Sequence, residues 1–70
     1  MNIGELSAEM ARQRISIPEL AIQMKVSKKL LYSRFKGETS FKHEEICKII
    51  SILGLNEHQV LLIFFNEKVS

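Results

Sequence analysis

Six of the ten basic side chains fall between residues 25 and 42: Lys25, Lys28, Lys29, Arg34, Lys36 and Lys42. Glu38 is the single acid among them, so this stretch carries +5. The rest of the chain sets Arg12, Arg14, Lys48 and Lys68 against seven glutamates and carries −3. The net charge of +2 therefore hides a dipolar molecule with one basic patch. Clustered cations suit a polyanion, because each neutralised phosphate releases condensed counterions. Leu30, Leu31, Tyr32 and Phe35 share the same stretch, so the charge sits on a folded element rather than a solvated tail.

Other chemistries find little support. The chain has no aspartate, and its two histidines, His43 and His58, are far apart. No nucleophile, base and orienting group stand together, and no glycine-rich phosphate loop is present. We expect no catalysis and no cofactor. One cysteine, Cys47, excludes an internal disulfide, and it shares no metal-ligand spacing with the histidines. No metal is expected. The apolar neighbours of Cys47 suggest a small core or boundary residue, and the histidines read as exposed helix-start residues. Glu5, Glu9, Arg12 and Arg14 interrupt the first apolar stretch, so no signal peptide is expected. The longest apolar run, Val60 to Phe65, is far too short to span a bilayer. A soluble, cytoplasmic protein without a membrane partner is the expectation.

Seventy residues make one domain, 1–70, with a modest core that a partner subunit would help to stabilise. Helical spacing repeats five times, each time after a start signal. Asn2 caps a first helix striped by Ile3, Leu6 and Met10. Ser16 and Glu19 form a capping box for a second, with Pro18 in its first turn and a stripe of Ile17, Leu20, Ala21 and Met24. Ser27 caps a third after a turn of about three residues, and Gly37 closes it in a left-handed position. A fourth follows the loop Thr39–Lys42, striped by Ile46, Ile49, Ile50 and Leu53, and stops at Gly54. Asn56 and Gln59 open the fifth. The order predicts an all-α, five-helix fold whose second and third helices form a helix-turn-helix.

Projected at about 100° per residue, the third helix turns Leu31 and Phe35 inward together. Lys29 and Ser33 lie nearly opposite, flanked by Lys36, Tyr32 and Leu30, with Lys28 at the N-terminal edge. A merely solvated face would balance its lysines with glutamates at i, i+4 and would not leave Leu30 and Tyr32 outward. Cations for phosphates, a short hydroxyl for base edges and an apolar group for thymine methyls are what a helix in the major groove needs.

The segment "SIPELAIQMKVSKKLLYSRFKG" resembles the helix-turn-helix of the phage Cro/CI (XRE, lambda-repressor-like) family, through Ser16, Leu20-Ala21, Val26-Ser27 and Gly37. The resemblance runs over about residues 3–66. "FKHEEICKIISILGLNEHQVLLIFF" is similar to the fourth and fifth helices of short phage-type members, through Phe41, Glu45-Ile46, Ile49, Leu53-Gly54-Leu55 and Ile63-Phe64-Phe65. It implies a lambda-repressor-like DNA-binding domain that binds double-stranded operator DNA, usually as a dimer on a palindrome. Positions matching Lys28, Lys29 and Ser33 read bases in that family. The start of the second helix and the loop after the third hold phosphates. Many relatives place a phosphate-binding Gln where this chain has Ile17, which leaves only backbone N–H groups there. Lys42 stands where many have a Thr or Ser cap.

From these readings, Lys28, Lys29, Leu30 and Ser33 are the expected base-contacting residues. Ser16, Ile17, Lys25, Ser27, Tyr32, Arg34, Lys36 and Lys42 are the expected phosphate contacts. Six consecutive apolar residues in the fifth helix exceed what one small core can cover. Val60, Ile63 and Phe64 form one side; Leu61, Leu62 and Phe65 form the other and are the expected homodimer interface. The alternative is a protein-interaction module, antirepressor- or antitoxin-like, that uses the same fold to bind another regulator.

Overall fold

Every helix among the described residues begins on a local signal. The computed structural model describes residues 1–65 and contains five: α1 (Ile3–Gln13), α2 (Ile17–Met24), α3 (Lys28–Lys36), α4 (His43–Leu53) and α5 (Glu57–Phe64). There is no strand among the described residues. The side chains of Asn2, Ser16, Ser27 and Asn56 each accept the backbone N–H three residues on. Such caps satisfy one of the amides that a helix start leaves without a partner. At Ser16 and Asn56 the third residue of the helix, Glu19 or Gln59, accepts the cap residue's own N–H in return. At α4 only that return half exists: Lys42 has no side-chain acceptor, and its N–H donates to Glu45 Oε1 at 2.9 Å.

Four helices end in a left-handed residue, and two of these are glycines, Gly37 (φ 82°) and Gly54 (φ 62°). The other two are Arg14 (φ 59°) and Lys25 (φ 62°), where a side chain makes the same turn less favourable. Lys25 lies in the turn joining α2 to α3, which occupies only residues 25–27.

The core draws on all five helices: Leu6, Met10, Leu20, Ala21, Met24, Leu31, Ile49, Leu53, Ile63 and Phe64, together with Leu55. α2 packs on both α3 and α4, and α1 on α5. The N–H of Asn2 donates to the Ile63 carbonyl, fastening the chain start to α5. A second tie runs through Glu9, whose carboxylate accepts from Arg12, Gln13 and Gln59, while Gln13 also donates to the Leu53 carbonyl at 2.7 Å. This network joins α1, the end of α4 and α5. The hydrogen bond from Gln13, and then that from Arg12, hold the Glu9 carboxyl below its ordinary pKa.

Candidate functional site

The basic segment forms α3 and its two flanks. Leu31 is buried and Phe35 half-buried, with the Phe35 ring edge-on to Phe41 at 5.7 Å. These contacts fix the inward side of the helix. Lys28, Lys29, Tyr32 and Lys36 are exposed around the rest of it, and Lys25 and Lys42 are exposed on the flanks. Tyr32 keeps 41% of its surface in solvent. Leu30 is half-buried rather than an open aliphatic group, so less of it is free for a methyl contact than its position on the helix suggested.

Arg34 is a correction. It was expected at a phosphate, yet it is 7% exposed and turned into the protein. Its Nε donates to Glu45 Oε1 at 2.8 Å and its Nη2 to Glu45 Oε2 at 3.0 Å. Three residues past Leu31 and one before Phe35, it shares their side of the helix. Five exposed lysines thus remain against Glu38. The guanidinium of Arg34, with a further hydrogen bond from the Lys42 N–H, holds the Glu45 carboxyl below its ordinary pKa despite burial.

Ser33 is half-buried, and its hydroxyl lies 3.0 Å from that of Thr39. One of the two hydroxyls donates to the other, so Ser33 is oriented by a loop residue whose part was not visible in the sequence. Ser27 accepts the Leu30 N–H and keeps its own hydroxyl hydrogen. At the start of α2, the Ser16 N–H and hydroxyl oxygen are both engaged with Glu19. The backbone hydrogen bond from Ser16 lowers the Glu19 pKa, so a carboxylate stands beside the expected anion site. Pro18 brings no N–H. What remains there is the Ile17 amide and the Ser16 hydroxyl hydrogen.

Lys48 serves the fold instead of the basic face. Its Nζ donates to the Met24 carbonyl at 3.2 Å, at the end of α2. Cys47 is a second correction. It is exposed, with Sγ 3.6 Å from His43 Nε2 one turn earlier on α4. Its position falls opposite Ile49 and Leu53, which overrides the apolar character of its neighbours in sequence. No group of three or more His, Cys, Asp or Glu side chains suited to a metal occurs among the described residues.

On α5, Ile63 and Phe64 are buried and Val60 half-buried. Leu61, Leu62 and Phe65 are 52%, 39% and 56% exposed. The six-residue apolar run thus divides between core and solvent. No helix among the described residues is long and apolar enough to cross a membrane.

Among the described residues, five helices, a short turn between α2 and α3, a lysine-rich outer face and an exposed apolar strip make up a small all-helical fold. Residues 11–67 match the model of the family described as "Protein of unknown function (DUF739)", and the chain belongs to that family. No curated protein and no solved structure matches the chain.

Proposed function

We propose that the protein is a sequence-specific DNA-binding transcriptional regulator, a Cro/CI-like repressor in which α2 and α3 act as a helix-turn-helix. The observation that carries this reading is the outer face of α3. Five lysines on the helix and its flanks stay in solvent, while the only arginine of the segment is consumed internally. In this reading α3 lies in the major groove. Lys28 and Lys29 reach guanine O6 and N7, Ser33 faces a base edge, and the accessible part of Leu30 meets a thymine methyl. Lys25, Lys36 and Lys42 grip phosphates, helped by Ser27, Tyr32 and the Ile17 amide.

A homodimer formed across Leu61, Leu62 and Phe65 would set two copies of α3 about one DNA turn apart, roughly 34 Å, to read a two-fold operator. The test is selection of bound fragments from the source genome, followed by gel shift of the enriched sequence against random duplex at low salt. Enrichment of a two-fold symmetric site supports the reading, and failure to shift either duplex at low salt ends it.

The exposed apolar strip of α5 favours a second reading. A protein-interaction module would use it to hold a different regulator, with the lysines serving an acidic surface. Cross-linking in the absence of DNA separates the two: a regulator of its own operator gives a homodimer.

A further inference from the structure

We infer that the buried Arg34–Glu45 pair is a positioning device for DNA: it locks the loop 37–42 to α3, so that Lys42 and the readout side chains meet the duplex as one rigid body. This rests on the DNA-binding reading above. The loop leaves α3 through Gly37, a left-handed residue whose backbone has the most freedom in the segment. Left to itself such a loop would swing, and a lysine on it would lose configurational entropy on gripping a phosphate. Two ties prevent this.

On the outward side, the Ser33 and Thr39 hydroxyls meet at 3.0 Å. On the inward side, both oxygens of Glu45 are held by the Arg34 fork, and Oε1 also accepts the N–H of Lys42. One carboxylate therefore touches the readout helix, the loop's last residue and the start of α4 together. A planar guanidinium is the side chain that can do this, since its paired donors fix orientation as well as distance. Stability alone does not require an ion pair here, because a buried pair is commonly replaced by apolar residues without loss of stability. What the apolar replacement could not supply is the joint to the Lys42 amide.

The experiment compares the wild-type protein with R34M/E45Q. Glutamine retains an acceptor for the Lys42 N–H, while methionine severs the link to α3. Amide exchange is read first, in the wild type. The Gly37, Glu38 and Lys42 amides should open together with those of α3. Lys42 exchanging orders of magnitude faster than α3 overturns the inference whether or not any variant folds.

Duplex binding is read next. R34M/E45Q should unfold at a similar temperature to wild type, bind the selected operator about tenfold more weakly, and lose about one unit of salt slope as Lys42 drops out. An unchanged slope and affinity in a folded variant overturn the positioning role alone. Absence of duplex binding by the wild type at low salt overturns the DNA reading and this inference with it. As a control, Arg34→Lys keeps the charge but not the fork. It should fall between the two, and behaviour identical to R34M/E45Q would show that a charge opposite Glu45 contributes nothing.

Discussion

α3 and α5 are nearly the same object built to different ends. Both are short, nine and eight residues, and both bury a pair of residues while leaving the other side uncovered. α3 buries Leu31 and Arg34 and shows lysines and hydroxyls to solvent; α5 buries Ile63 and Phe64 and shows Leu61 and Leu62, with Phe65 exposed just past its end. A cationic, hydrogen-bonding face keeps its water until a polyanion displaces counterions, so its affinity is salt-dependent. An apolar face gains by leaving water altogether and is nearly indifferent to salt. The difference separates the roles we propose for the two helices, and substitutions on either one can blur or sharpen it.

The largest effect should come from the inward side of α5. Ile63 is 2% exposed, and Ile63→Ala should cost about 2–5 kcal/mol in urea denaturation by removing apolar contact and leaving a cavity. Leu62→Glu combined with Phe65→Glu, on the outward side, should keep a cooperative unfolding transition while sedimenting as a monomer. Loss of the folded state in that double variant would mean that both sides of α5 serve the core.

Next in size is Lys29→Ala on the outer face of α3. It should leave stability unaltered and cost about 1–3 kcal/mol on the selected operator, relaxing the preference at one base pair. Equal losses on operator and random duplex would move Lys29 among the phosphate contacts.

Smaller effects test the two left-handed turns that bound α3. A Cβ at Gly37 would meet no neighbour within 4 Å, so Gly37→Ala should cost only the backbone strain of its positive φ, about 1 kcal/mol. Lys25→Gly should do the reverse. It relieves strain at φ 62° and is expected to change stability by less than about 1 kcal/mol, because glycine also loosens the unfolded chain. It should still reduce the salt slope by about one unit. An unaltered slope would make Lys25 a solvated turn residue.

The pH dependence gives the gentlest contrast. Glu9 and Glu45 both titrate below the ordinary range in the folded protein. Their stabilisation is complete above the unfolded glutamate pKa, about 4.3, and is lost as the pH falls from there through their lowered folded values. The urea midpoint should therefore decline on acidification below about pH 4.3, and R34M/E45Q should flatten part of that decline. A profile identical in the variant would show that Glu45 contributes nothing to it.

What the sequence made legible was mostly local. A cap spans three residues, so Asn2, Ser16, Ser27 and Asn56 announced where helices begin, and Gly37 and Gly54 where two of them end. The two sides of α5 followed from helical period alone. Arg34 shows where that reach stopped. Its phase placed it beside Leu31 and Phe35, but membership of a basic cluster drew it outward, and its partner Glu45 lies eleven residues away on another helix. Cys47 failed the other way, because apolar neighbours in sequence outweighed its angular position. The Glu9–Gln59 bond spans fifty residues, and no periodicity reports a contact of that kind. The place of Ser33 on the helix follows from period, whereas Thr39, which orients it, belongs to a loop where period carries no information.

The most direct test of DNA binding through α3 is a titration of short duplex DNA into ¹⁵N-labelled protein at low salt, followed amide by amide. The proposed binding predicts shifts at Lys28, Lys29 and Ser33, along the loop to Lys42 and at the start of α2, with the buried residues of α4 little changed. These shifts should fade as salt is raised. Shifts confined to α5, or none anywhere at low salt, would contradict it.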